Sequence, residues 1–470
     1  DLQLCLVVIT GFIWISCQMQ RQENISGLDS DFALSSNLDS IGKHFVNGGR
    51  VIGISVAIIQ ENDTLYNKGF GFTDLGKSKP VDNDTKFRMA SISKLIGSTL
   101  VMKLVEEGKL TLDQPLSELL PDFPNEEQAK KITLRHMLSH TSGLQDYAVE
   151  IDSTYVKTGI PPTKKDFYEF FRDRQLFFEP GSNYSYCNSG FLLMGLIIER
   201  ITGNTFQTEI DRVINRPSGL NLRLIADQAN HPNMSSYFEP YHATFNSIPH
   251  WTWIKGDGGL TVTSIELAQF PGLWASGAII DKASFEKMIQ PMVLTDGIET
   301  GYGIGVRNGD FEGEKVIGHT GGNKTPLSIM VYFPKKQLSI VVLINTDNTP
   351  DHARKIYGEI ASVVLDKEKP DYRSREIIYK DLAKYQGVFT TNDYKIDQKV
   401  TIELNPDDEH LYYCISENNC EKMYHLGDGK FWIERWPFDR VVFDMNEHGS
   451  VRALKEFYYG YYVALRRKEF

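Results

Sequence analysis

The chain has 470 residues, of which 41% are hydrophobic and 24% are charged, and its net charge is −11 at pH 7. This length exceeds what one compact domain usually holds, so two folded units and a leader are expected. The acidic balance, without any Lys/Arg-rich run, gives no indication of nucleic-acid binding, and five cysteines in this length do not form a disulfide scaffold.

The first predicted element is an uncharged apolar stretch over residues 4–16, followed by Cys17 and a polar segment. It is too short to span a bilayer but suits the apolar region of a secretory signal. The step from Ser16 to Cys17 resembles a bacterial lipoprotein processing site, and cleavage without lipidation is the alternative. We therefore expect a leader over residues 1–17 and an exported protein, either periplasmic or anchored to a membrane of the bacterial cell envelope through a lipid on Cys17.

Strands and helices are predicted in a particular order along the next part of the chain. Early elements are a helix within 30–48 and β-branched strands at 51–59 and 64–72. A helical block follows from Ser91 to about Ile289, with helices at 165–174, 190–201, 264–274 and 283–289, the third interrupted by Pro271. Later elements are strands at 302–306, 315–319, 327–333 and 338–345 and a helix at 351–365.

This order predicts an α+β fold over residues 30–365. The first two strands and the later set would form one antiparallel sheet, with the helical block inserted beside it and a site in the cleft between them. Residues 366–380 are charged and contain Pro370, which is typical of a linker. Short strands separated by turns over 381–470 predict a small all-β barrel or sandwich. Within it, Cys414 and Cys420 either form a local bridge or remain free thiols.

The pattern Ser-x-x-Lys occurs three times, at Ser40–Lys43, Ser91–Lys94 and Ser284–Lys287. Residues i and i+3 share one face of a helix, and a neutral lysine beside a serine can accept the proton of its hydroxyl. A helical serine and lysine are more often solvated surface, however, so other residues must identify a copy with a catalytic role. The copy at Ser91 begins an apolar helical run, whose N-terminal N–H groups favour negative charge.

Two further motifs single out Ser91. Tyr186-Cys187-Asn188 precedes the apolar helix, and His319-Thr320-Gly321 lies at the end of a strand; Tyr-x-Asn and His-Thr-Gly each occur once. In this chain order, the three elements resemble those of serine β-lactamases and penicillin-binding proteins. Residues 35–365 are identified as similar to the class C β-lactamase-like branch, which contains β-lactamases, D-Ala-D-Ala carboxypeptidases, D-aminopeptidases and esterases.

The resemblance implies acyl transfer through a covalent ester of Ser91. Lys94 and Tyr186 would form the base system, and which of them accepts the proton stays open. The backbone N–H groups of Ser91 and Gly322 would form the oxyanion hole. No cofactor is implied.

The resemblance also implies a substrate site that includes Asn188, His319 and Thr320, with Asn188 holding a substrate amide oxygen. β-Lactamases and most carboxypeptidases of this group carry lysine at the position of His319, which supplies a positive charge for a substrate carboxylate. Because histidine is mostly neutral near pH 7, we expect an esterase or D-amino-acid peptidase acting on a small ester, amide or D-amino-acid peptide. Lys324 is a nearby cation that could replace the charge.

Three alternatives stay open. The chain could be a β-lactamase or D-Ala-D-Ala carboxypeptidase, or a slowly acylated protein that binds cell-wall peptides or β-lactams. The C-terminal part could instead be the functional one, a lipid- or peptide-binding barrel. No metal site is predicted, because no Glu follows His136 in the His136/His140 pair, and Cys187 is interpreted as a small apolar filler. The absence of Gly-x-Ser-x-Gly argues against an α/β-hydrolase.

Overall fold

The computed structural model describes residues 33–225, 233–241, 244–247, 253–322, 326–347, 352–367, 373, 381–390, 399–434, 439–458 and 460–468. The predicted leader with Cys17, most of the predicted linker, and Lys324 lie outside these residues. Within the described ranges, no helix is both long enough and apolar enough to cross a membrane.

An antiparallel sheet forms the centre of the N-terminal part. Across the described residues its strand order is β2 (Asp63–Gly71), β1 (Gly53–Gln60), β11 (Leu338–Ile344), β10 (Pro326–Phe333), β9 (Glu314–Gly322) and β8 (Arg307–Phe311). Val56 of β1 pairs with Val342 on one side and Lys68 on the other. The early strands therefore join the late strands in one sheet, which confirms the predicted topology.

The chain between β2 and β8 is mostly helical, and further helices flank the sheet strands. The helices are α1 (33–47), α2 (Ser93–Glu106), α3 (Leu116–Leu119), α4 (Glu126–Lys131), α5 (Leu134–Leu138), α6 (Ala148–Thr158), α7 (Lys164–Arg172), α8 (Ser189–Thr202), α9 (Phe206–Ile210), α10 (Arg216–Ser218), α11 (Ser264–Ser276), α12 (Lys282–Ile289) and α13 (His352–Val364). Short strands among them are β3 (Phe87–Arg88), β4 (Arg223–Leu224), β5 (Phe238–Tyr241), β6 (Thr244–Ser247) and β7 (Leu260–Val262). Helices α11 and α13 both contact β11, every residue of which is buried.

Two local predictions were wrong. The helix expected to be interrupted at Pro271 is continuous as α11, and a capping box between Thr263 and Glu266 closes its N-terminus. Pro271 removes one N–H donor from the helix without ending it. The strand expected at 302–306 is a loop, and β8 begins only at Arg307. Two of its amides donate to carbonyls at helix ends: Gly305 N–H to Leu138 at 2.9 Å and Ile304 N–H to Met288 at 2.8 Å.

The C-terminal residues form an eight-stranded barrel in the part that the structure describes. Its strands are β12 (Gly387–Thr390), β13 (Val400–Asn405), β14 (His410–Ser416), β15 (Asn419–Gly427), β16 (Lys430–Ile433), β17 (Arg440–Met445), β18 (Val451–Tyr458) and β19 (Tyr461–Lys468). β12 pairs with both β13 and β19, which closes the barrel around an apolar core of its own. Cys414 lies opposite Cys420 in the β14–β15 ladder, and the two form a disulfide.

The barrel joins the N-terminal part along β8. Tyr461 of β19 pairs with Gly309 of β8, and Asp310 N–H donates to the Gly460 carbonyl at 2.9 Å. Arg440 adds ion pairs to Asp310 at 2.7 Å and to Glu312 at 2.6 Å. The sheet is thereby continuous from the barrel to β2.

Candidate active site

Ser91 lies on a tight turn between β3 and α2. A single 3₁₀ turn, Ala90–Ile92, leads into the helix, and Ala90 has a φ of 45°, in the left-handed region that non-glycine residues seldom adopt. Met89 N–H donates to the Leu260 carbonyl at 2.8 Å, and Ser328 Oγ donates to the Met89 carbonyl at 2.7 Å. The turn is therefore anchored on both sides, and Ser91 is left half-buried.

Lys94 lies one turn further along and is fully buried. Its Nζ lies 2.9 Å from Ser91 Oγ, 2.8 Å from Asn188 Oδ1 and 2.7 Å from the Asp257 carbonyl oxygen. The last two oxygens can only accept hydrogen bonds, whereas a serine hydroxyl can donate or accept. The geometry thus fits both an ammonium that donates three bonds and a neutral amine that donates two and accepts the Ser91 proton.

Asn188 is oriented by a carboxylate. Its Nδ2 donates to Asp146 Oδ2 at 2.9 Å, and its backbone N–H donates to the same oxygen at 3.1 Å. This contact turns Oδ1 of Asn188 toward Lys94. In the described structure Asn188 therefore positions the lysine, and its role toward a substrate amide stays a prediction.

The Tyr186 ring is half-buried and lies between aromatic and cationic groups. Lys94 Nζ lies 5.0 Å from the ring centre and the Arg307 guanidinium carbon 5.1 Å from it. The His140 ring lies 4.1 Å away, centre to centre, and His140 Nδ1 accepts a hydrogen bond from Cys187 N–H at 3.0 Å. Burial and the neighbouring Lys94 and Arg307 cations hold the pKa of His140 well below 6.5, so it packs against Tyr186 as a neutral ring.

His319 lies on β9 and is also buried and neutral. Burial, with the Arg307 and Lys94 charges, holds its pKa well below 6.5. Its Nε2 lies 2.8 Å from the Tyr302 hydroxyl and its Nδ1 lies 2.6 Å from the Thr320 carbonyl oxygen. A carbonyl only accepts, so Nδ1 carries the proton and Nε2 accepts from Tyr302. Both ring nitrogens are occupied within the protein.

The end of β9 approaches the Ser91 turn closely. A Cβ added to Gly321 would lie 2.1 Å from the Met89 carbonyl oxygen and 2.9 Å from the Ser91 nitrogen. Glycine is therefore required for this approach. Thr320 and Gly322 flank it and are half-buried. The strand end thus lies beside Ser91, and the oxyanion hole at the Ser91 and Gly322 amides stays a prediction.

The other two Ser-x-x-Lys copies lie on the surface and away from these partners. Ser40 and Lys43 are exposed on α1, where Lys43 pairs with Asp39, and Lys287 is exposed on α12. The predicted residues Ser91, Lys94, Tyr186, Asn188 and His319 therefore surround one place in the fold.

Sequence reasoning missed four residues of this place: Asp146, Asp257, Tyr302 and Arg307. Asp257 lies within Gly256-Asp257-Gly258-Gly259, and a carboxylate in such a glycine-rich turn is a signal that could have been followed. Burial raises the pKa of this carboxyl, which accepts a hydrogen bond from the Tyr147 hydroxyl. Cys187 is buried with its thiol donating to the Leu144 carbonyl, and burial raises the pKa of that thiol to about 12, so it is a poor nucleophile at neutral pH.

Three curated relatives match between 40% and 89% of this chain in sequence. A penicillin-binding protein of Bacillus subtilis (strain 168) is 24% identical over 442 residues, which is 89% of this chain and 94% of that protein. An esterase of Burkholderia gladioli is 30% identical over 199 residues, 40% of this chain and 50% of that protein. A D-aminopeptidase of Brucella anthropi is 24% identical over 315 residues, 66% of this chain and 59% of that protein.

Solved structures show the same fold. The octameric penicillin-binding protein homologue from Pyrococcus abyssi superposes with a TM-score of 0.63 at 23% identity, covering 92% of this chain and 99% of that chain. The family model described as Beta-lactamase matches residues 38–365. The chain therefore belongs to the Beta-lactamase family and is a serine hydrolase of that group.

Proposed function

We propose that the chain hydrolyses a small ester, or the amide or peptide bond of a D-amino-acid compound, through an acyl ester of Ser91. The observation that carries this proposal is the contact of 2.9 Å between buried Lys94 Nζ and Ser91 Oγ. A base held at this distance by two further acceptors can take the hydroxyl proton as the oxygen attacks a carbonyl. The named esterase and D-aminopeptidase relatives support the choice of substrate class.

The charge distribution at β9 supports the same choice. His319 is neutral and fully buried, so it offers no positive charge to a substrate carboxylate. The two basic side chains beside the Tyr186 ring, Lys94 and Arg307, are also buried, with 0% and 8% of their surface exposed. An accessible cation strengthens the binding of a β-lactam or of a peptide that ends in a free carboxylate, and neither His319, Lys94 nor Arg307 supplies one in the described part of the chain, which leaves out Lys324. An uncharged ester or amide does not need one.

The proposed reaction uses only the substrate, water and side chains of the site. Ser91 Oγ forms a bond to the substrate carbonyl carbon, and its proton passes to Lys94 or Tyr186. The same proton then goes to the leaving alcohol or amine as the carbonyl–leaving-group bond breaks. Water, deprotonated by the same base system, attacks the acyl ester, releases the acid and returns the proton to Ser91.

A substrate panel tests this proposal. Initial rates are measured on p-nitrophenyl esters, D-amino-acid p-nitroanilides and a chromogenic cephalosporin for wild type, Ser91→Ala and Ser40→Ala. We expect turnover of an ester or a D-amino-acid anilide, loss of at least about 10³-fold in Ser91→Ala, and no change in Ser40→Ala, which alters an exposed Ser-x-x-Lys copy. Turnover confined to the cephalosporin would favour a β-lactamase. A cephalosporin adduct that persists for hours would favour a slowly acylated binding protein.

We also propose that the protein is exported and anchored through a lipid on Cys17. The apolar stretch over residues 4–16 carries this proposal, and the Cys414–Cys420 disulfide supports it, because disulfides persist in oxidising compartments. Metabolic labelling with a fatty-acid analogue should mark the wild type in a bacterial host and not Cys17→Ser. Equal labelling of both would contradict the anchor, and retention of both in the cytoplasm would contradict export.

A further inference from the structure

Arg307 is a buried cation that faces tyrosines. Its guanidinium carbon lies 5.1 Å from the centre of the Tyr186 ring and 5.6 Å from that of Tyr302. Its Nη1 donates to the backbone carbonyl of Tyr462 at 2.6 Å, while its Nε is buried without a hydrogen-bond partner in the described structure. A buried charge is costly unless its surroundings compensate it. Here the compensation comes from ring faces and one carbonyl.

Tyr462 belongs to the barrel but packs into the core of the N-terminal part. It lies on β19 and is fully buried, with its ring centre 5.3 Å from that of Tyr184. A Cβ added to Gly301 would lie 2.0 Å from Tyr462 Cγ, so the ring rests directly on the backbone there. Most buried apolar residues of the barrel form a separate core, whereas Tyr462 and Ala453 are part of the main one.

We propose that Arg307 acts on Tyr186 by holding a fixed positive charge beside its ring, and that β19 of the barrel holds Arg307 in place. The barrel would then take part in activating Ser91 instead of being an appended module. This inference rests on the proposed function only in assigning Tyr186 to the base system. The physical reason is that a fixed cation beside a phenol favours its anionic, proton-accepting form.

The other groups that face Tyr186 leave this role to two cations. His140 packs on the ring at 4.1 Å and His319 lies 6.3 Å away, centre to centre, but both are neutral because burial and the nearby cations hold their pKa values well below 6.5. Burial raises the pKa of Tyr302 well above its usual range, so that phenol is neutral too. Arg307 is the member of this set whose positive charge is permanent, and Lys94 carries one when Tyr186 is the base.

The test measures the rate constant for labelling of Ser91 by a fluorophosphonate, from about pH 5 to pH 10. This probe reports nucleophile activation whatever the substrate is. In Arg307→Met we expect labelling to slow by about tenfold at neutral pH and the pH profile to move upward by about one unit, with most of both effects reversed in Arg307→Lys. Loss of packing alone would lower the rate at every pH without moving the profile.

A second pair of variants tests the link to the barrel. Gly301→Ala forces the Tyr462 ring off the backbone at residue 301. We expect the pH profile of Ser91 labelling in this variant to move upward, as in Arg307→Met. Arg440→Gln removes the ion pairs to Asp310 and Glu312 elsewhere in the same contact, and its profile should not move. Thermal denaturation identifies variants that fail to fold, and Arg307→Lys and Gly301→Ala still test the inference if Arg307→Met is one of them.

Several outcomes would overturn the inference. These are a stationary profile in Arg307→Met or in Gly301→Ala, an equal shift in Arg440→Gln, and no labelling of Ser91 in the wild type. A wild type that is labelled with the expected mutant shifts, yet hydrolyses nothing in the substrate panel, contradicts the proposed function alone.

Discussion

Ser91 faces two walls of different construction. On the helical wall, α2 and α8 hold Lys94 and Asn188 in a continuous chain of hydrogen bonds that ends at the Asp146 carboxylate. On the sheet wall, β8 and β9 present Arg307 and His319, which are held largely by burial, ring stacking and single bonds to carbonyls or hydroxyls.

The difference assigns different tasks to the two walls. Hydrogen bonds on the helical wall are directional and fix the position of the Lys94 amine to within a narrow geometry. The sheet wall instead sets the local charge and dielectric, since its histidine is neutral and its arginine is buried. A change on the helical wall should therefore affect catalysis most, and a change at His319 should affect the pH dependence of stability.

The largest effect is expected from Lys94→Met. This change removes a base candidate and leaves Asn188 Oδ1 and the Asp257 carbonyl without their donor. General-base catalysis contributes about 10²–10⁴-fold, so kcat/KM for a p-nitrophenyl ester should fall by about 10³-fold. Lys43→Met, on an exposed Ser-x-x-Lys copy, should change it less than about twofold. A loss below about tenfold in Lys94→Met would contradict the larger catalytic role of the helical wall.

Asp146→Asn should give an intermediate effect. The carboxylate accepts from Ala148 N–H through Oδ1 and from Asn188 through Oδ2. An amide has one acceptor oxygen, so its NH2 faces one of these donors and the contact that turns Asn188 Oδ1 toward Lys94 is weakened. Hydrogen bonds to charged groups are worth about 1.5–3 kcal/mol, which corresponds to a loss of about 10–150-fold in kcat/KM. Asp122→Asn makes the same chemical change at an exposed salt bridge with Lys164 and should leave steady-state kinetics unaltered. Equal activities of the two variants would contradict the positioning role.

The smallest expected effect is a change in how the free energy of unfolding depends on pH. His140 and His319 are neutral in the fold with lowered pKa values, while in the unfolded chain a histidine takes up a proton below about pH 6.5. The unfolded state then binds more protons, so stability falls as pH decreases below about 6.5. His319→Gln can keep the hydrogen bonds to Tyr302 and Thr320, but it removes the contribution of one of these two histidines to the pH dependence of stability.

Urea denaturation of wild type and His319→Gln at neutral and mildly acidic pH measures this linkage. Between pH 6.5 and 5.5 the wild type should lose about 1 kcal/mol more free energy of unfolding than the variant. Asp257, whose pKa is raised by burial, acts with the opposite sign but is present in both proteins and cancels in the difference. Identical pH slopes would show that His319 takes up its proton in the folded state as readily as in the unfolded one.

The two walls also differ in how far the sequence predicts them. Ser91, Lys94, Tyr186 and Asn188 lie at starts of helices, where motif spacing and apolar periodicity both apply, so their proximity could be predicted from resemblance. The sheet topology could also be predicted, because the order of strands and helices along the chain can be read from the same local patterns. Arg307 carries no such signal, because its place depends on long-range contacts with Tyr186 and Tyr462.

The error at residues 302–306 has the same origin. The segment alternates apolar residues with glycine and was therefore predicted as a strand. The amides of Ile304 and Gly305 instead donate to carbonyls at helix ends. Gly305 has a φ of 71°, and a Cβ added there would lie 2.1 Å from Ser98 Oγ. Tertiary packing, which a local pattern does not contain, decides such a segment.

The most direct test of catalysis by Ser91 is to locate the covalent intermediate. The protein is mixed with a p-nitrophenyl ester, quenched in acid within one turnover and digested with trypsin. Cleavage after Arg88 and Lys94 gives a peptide that contains Ser91 and Ser93, so fragment ions must distinguish them. We expect the acyl group on Ser91. An acyl group on Ser93, Tyr186 or any other residue, with Ser91 unmodified, would contradict this expectation.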